Sequence, residues 1–84
     1  MNKILVGKIT HFFPKINVAV VQLSAELKTG DKISIEKDGE AFEQIVESMQ
    51  VEHKNIPVAK VGMDVGMKIS HPVKEGAQVF KLTA

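Results

Sequence analysis

The chain has 84 residues, 44% hydrophobic and 25% charged, with a formal net charge of +1. That length predicts one domain over residues 1–84 with a thin core, burying roughly 60–65% of the unfolded surface. There is no cysteine, which excludes disulfides, thiolate catalysis and cysteine-based zinc sites and suits a reducing cytosol. A net charge so near zero argues against a strongly electrostatic nucleic-acid binder.

In chain order, MNKILVGK opens with an apolar run that Gly7 and Lys8 cut short. It is too brief for a signal peptide or a membrane span, so a cytoplasmic protein without membrane contact is expected. KILVGKITHFF reads as a strand with a bulge or bend at Gly7. Alternation counted from Ile9 sends His11 and Phe13 inward and leaves Phe12 outside with Lys8 and Thr10; a bulge after Phe12 would reverse this. In INVAVVQL, Val18 and Val20 face away from Ala19, Val21 and Leu23, and both sets are apolar. Such a strand is covered on both sides or exposes an apolar patch. KISIE alternates cleanly, with Ile33 and Ile35 on one face and Lys32, Ser34 and Glu36 on the other. AFEQIVESMQVEH places Phe42, Val46 and Met49 at helical spacing, but Ile45, Val51 and the preceding Asp38-Gly39 turn favour a strand. DVGMKIS, with a second internal glycine at Gly66, and AQVFKL complete six short β-branched runs separated by Gly, Pro, Asn and Asp turn signals. An all-β barrel or sandwich is the expected class.

Charge is segregated along the chain. Residues 1–25 carry Lys3, Lys8 and Lys15 without an acid, whereas residues 36–52 carry six acids against Lys37 alone. Every cation is a lysine; without arginine's bidentate fork, sequence-specific base reading is not expected. His11, His53 and His71 end three different runs with no paired spacing, so no metal site is expected. Ser24, Ser34, Ser48 and Ser70 lack a nucleophile-elbow context, and Glu43 and Glu47 read as a solvated strand face. Met49, Met63 and Met67 suit core or loop packing, or an adaptable contact surface. Neither catalysis nor a cofactor is expected.

Three stretches carry a family resemblance: LKTGDKISIE at 27–36, FEQIVESMQVEHKNIPVAKVGMDVGMKI at 42–69, and KEGAQVFKL at 74–82. Their order resembles the second domain of translational GTPases such as elongation factor Tu, a closed six-stranded β-barrel. With V-G-K-I-T-H-F-F opening the chain, it looks still more like small stand-alone elongation-factor-like proteins. It is also similar to the C-terminal barrel of collagenase-like peptidases. The likeness spans nearly the whole chain and implies a small closed six-stranded barrel, with much of its interior from Ile33, Ile35, Val46, Met49, Val51, Ile56, Ala59, Val65, Ile69 and Val79. Gly30 and Asp31 would form the strand-entry turn, and Gly62 and Gly66 would allow close backbone approach at the barrel's crossing.

The resemblance implies two readings of function, since one fold hosts many sites. The principal one is an RNA- or ribosome-associated module contacting tRNA or ribosomal RNA. Phe12 would stack on a base and Lys8, Lys15, Lys54 and Lys68 would neutralise phosphates. Gln50 and Asp64 fall where the relatives line the aminoacyl-end pocket, though both differ in type. No phosphate-loop motif is present and no room remains for a GTPase domain, so nucleotide hydrolysis is excluded. The alternative is a protein-interaction or self-association module using Val18 and Val20, acting in trans with a larger enzyme such as a collagenase-like peptidase.

Overall fold

The computed structural model describes residues 2–52 and 54–83; His53 and any role for it lie outside the described residues. The chain is all-β. The six expected runs form the long strands β1 (Asn2–Phe13), β2 (Val18–Leu23), β4 (Lys32–Lys37), β5 (Glu40–Ile45), β9 (Asp64–Lys68) and β10 (Gln78–Thr83), together with β6 (Met49–Val51). Segment 40–53 is thus strand rather than helix, but broken into β5 and β6. The remaining elements β3 (Leu27–Lys28), β7 (Lys54–Ile56) and β8 (Val58–Ala59) are two or three residues long, too short for alternation to show.

Eight strands form one sheet in the order β5-β4-β10-β1-β2-β9-β6-β7, and β3 pairs with β8 separately. The expectation of a closed six-stranded barrel is corrected here: the sheet is open, with β5 and β7 as its edges. Gln44 makes a side-chain joint there in place of a backbone ladder. Its amide nitrogen donates to the Lys68 carbonyl at 2.9 Å, and its oxygen accepts from the Ser70 backbone N–H at 2.8 Å. One side chain on β5 therefore joins the edge of the sheet to the end of β9 and the residues that follow it.

The core follows from the alternation. Val6, Ile9, Ala19, Val21, Leu23, Ile33, Ile35, Val65, Met67 and Val79 point into one cluster with Leu27, Val46, Met49, Ala59, Ile69 and Ala77. Eight of the ten expected interior residues are buried, and Val51 and Ile56 pack partly against them. Ser34 faces the opposite side, as its alternation requires, yet it is covered too; its hydroxyl donates to Glu36 at 3.1 Å.

Two irregularities in β1 shape the sheet. Its register slips between Leu5 and Gly7 against β10. At Gly7 a Cβ would stand 2.6 Å from the Gln22 carbonyl oxygen, so only glycine permits that approach. Its register slips again between Ile9 and His11 against β2. The extra residue there is Thr10, whose hydroxyl donates to the Val20 carbonyl at 3.3 Å.

At the strand-entry turn Gly30 has φ +92° and Asp31 Oδ2 accepts from the Lys28 backbone N–H at 2.9 Å, as expected. Gly62 and Gly66 play different parts from those expected. A Cβ at Gly62 would meet nothing within 4 Å, and one at Gly66 would make ordinary contact with Val18 at 3.5 Å.

Candidate functional site

The Thr10 bulge reverses the expected parity of the aromatic pair. Phe12 turns inward and packs against the core, while Phe13 is 43% exposed. Counting from Ile9 failed because two consecutive residues, Thr10 and His11, oppose one partner position. Phe12 is therefore not the exposed aromatic; Phe13 is, with the His11 ring packed edge-on at 4.4 Å.

Facing residues in an antiparallel ladder share a side of the sheet, so the register builds the outer surface row by row. Lys8 pairs with Gln22 and Gln22 with Asp64, giving a polar row across β1, β2 and β9. In the next row His11 pairs with Val20, Val20 with Gly66, and Gly66 with Gln50. Gln50 donates to Asn55 Oδ1 on β7 at 3.0 Å, which ties the two side chains together. In the third row Phe13 pairs with Val18 and Val18 with Lys68.

Lys8, Gln50, Asp64 and Lys68 thus share one face with Val18 and Val20. Lys15 sits in the exposed turn between β1 and β2, and Lys54 pairs with Val51 on the other side of β6 and β7. At the centre of this face Gly66 leaves β9 bare beside half-buried Val18 and Val20. Ile16, 63% exposed in the adjoining turn, extends the apolar patch. Sequence reading missed Phe13 and His11 as members, because Thr10 carries no glycine-like mark of a bulge.

Elsewhere, His71 Nδ1 lies 3.0 Å from Ser70 Oγ. That hydroxyl also lies 3.0 Å from the Gln44 amide oxygen, and the His71 ring packs on Phe42 with centroids 4.7 Å apart. The contacts bind a turn to β5; no carboxylate among the described residues orients the imidazole as a catalytic base would need. Among the described residues no three His, Cys, Asp or Glu side chains gather as a metal would require. No helix there is long and apolar enough to cross a membrane.

No family model matches the chain. It is 42% identical over 81 residues to an uncharacterized protease of Methanocaldococcus jannaschii, covering 95% of this chain and about a fifth of that protein's length. The C-terminal domain of a candidate U32 peptidase from Geobacillus thermoleovorans superposes with a TM-score of 0.88 at 21% identity, covering 94% of this chain and 92% of that one. Its selenomethionine variant gives 0.84 at 20% identity, covering 90% and 96%. These likenesses establish the shared fold and match the peptidase-type domain. They overturn the expectation of an elongation-factor-like, ribosome-associated or RNA-binding protein.

Proposed function

We propose that the chain is a non-catalytic accessory module of a collagenase-like peptidase, docking on the larger catalytic part through the outer face of β1, β2, β9 and β6. The observation that carries this reading is its 42% identity to a stretch of a protease five times its length. The other four fifths of that protein is the natural candidate for what such a module serves. The solved C-terminal domain of similar fold supports the same assignment.

The outer face has the anatomy that docking needs. Phe13, Val18, Val20 and Ile16 form an apolar centre, and Lys8, Asp64, Gln50 and Lys68 supply a mixed polar rim. The rim carries both signs of charge, which favours a protein surface of mixed potential.

Sedimentation of the chain mixed with the Methanocaldococcus protease lacking its matching segment tests this directly. A complex is expected, weakened at least tenfold by Val20→Lys, because a lysine there places an unpaired charge at the centre of the contact. Absence of a complex, or one indifferent to Val20→Lys, would retire the docking assignment.

A further inference from the structure

A cleft lies at the end of the curled sheet where the β4–β5 hairpin faces the segment from Ser70 to Gly76, whose Glu75 carboxylate stands 3.1 Å from His11 at the border of the docking face. It is a half-open cleft of about 620 Å³, within the size range of small-ligand sites. Its floor is apolar: Ile35 and Ala77 reach it from the buried core, and Phe42 and Val73 form half-buried walls. The His71 ring braces Phe42 from one side.

Its rim carries both signs of charge. Lys37 and Lys74 stand there with Asp38 and Glu40. None of the four takes part in an ion pair among the described residues. The Lys37 ammonium reaches toward the turn that carries Lys74, where a Cβ at Gly76 would stand 3.2 Å from it. Such a rim suits neither a simple anion nor a neutral apolar molecule. It complements a molecule that bears an ammonium and a carboxylate at its two ends and an apolar group between them.

We propose that this cavity binds a short apolar peptide with free termini. The carboxylate lies against Lys37 and Lys74, the ammonium against Asp38 and Glu40, and a side chain on the Ile35–Phe42–Val73–Ala77 floor. Two extended residues span about 7 Å, so a dipeptide brings both termini to the rim of a single cavity. The choice of a peptide over other zwitterions rests on the peptidase reading above; the need for a zwitterion with an apolar body rests on the cavity alone.

The experiment is an amide NMR titration of the full chain with Leu-Leu, with its N-acetylated and C-amidated form, and with Gly-Gly. Saturable millimolar binding of Leu-Leu is expected, with shifts gathered on Ile35, Phe42, Val73 and Ala77. Affinity should fall at least tenfold for the capped peptide, for Gly-Gly, and for Leu-Leu on Lys74→Ala. Glu40→Gln should weaken it in the same direction. Lys74 and Glu40 are exposed, and an unchanged spectrum of each variant without peptide shows that the fold is intact. Equal affinity for the capped peptide or for Gly-Gly would overturn the proposal, as would the absence of saturable shifts. The titration contains no peptidase, so its failure leaves docking of the outer face standing. Conversely, failure of the protease complex alongside a positive titration would leave the peptide site standing and remove only its link to a peptidase.

Discussion

At the scale of single residues, Phe12 and Phe13 show how one extra residue decides which side chain stabilises and which is free to bind. With the Thr10 bulge between it and Ile9, Phe12 packs on the core and Phe13 lies open. Phe12→Ala should therefore lower unfolding stability by roughly 1–3 kcal/mol in urea titrations, less than a fully buried phenylalanine because Phe12 is only partly covered. Phe13→Ala should change it little and act on docking instead. The reverse pattern would mean that the bulge lies elsewhere. Lys3 and Glu36 offer a second test. The Lys3 ammonium donates to both Glu36 oxygens, at 2.9 and 2.7 Å. That hydrogen bond, joined by the one from Ser34 and by the charge of Lys3, holds the carboxyl below its ordinary value against the opposing effect of desolvation. A carboxyl depressed on folding contributes stability above its unfolded value and loses it as pH falls through the folded one. Lys3→Met should raise the Glu36 titration midpoint, followed by side-chain carboxyl NMR, and flatten the acid-side fall in stability. An unmoved midpoint would show that the ion pair does not form in solution.

At the scale of elements, the long strands were legible because β-branched runs and turn residues alternate along the chain, and because KISIE places its two isoleucines on the buried face. The turn chemistry at Gly30 and Asp31 was legible for the same local reason. What escaped was set by pairing rather than by local pattern. The strands β3, β7 and β8 are too short to show a period, and the slip at Thr10 depends on how β1 meets β2. Closure of the barrel was overestimated because strand spacing cannot reveal whether the last ladder forms. Gln44 makes that joint with its side chain. Gln44→Ala should speed hydrogen exchange at the Ser70 amide and along β5 while leaving β1, β2 and β9 protected, since those strands keep both neighbours. Uniformly unchanged exchange would mean that the joint carries no load.

At the scale of the whole molecule, four of the seven residues singled out from sequence, Lys8, Gln50, Asp64 and Lys68, do come together on one face, around Val18 and Val20. Their shared surface was partly legible, because strand parity places every second residue together; its purpose was not, because a curled sheet of this kind serves unrelated partners. The apolar centre with its two-signed rim, and the likeness to a fifth of a protease, are what the proposed docking rests on. The most direct measurement is an amide NMR map of the labelled chain with the unlabelled Methanocaldococcus protease lacking its matching segment. Docking predicts that perturbed amides gather on His11, Phe13, Val18, Val20, Gly66 and Gln50, and spare the β4–β5 hairpin. Perturbations centred on the hairpin, or none at all, would contradict it.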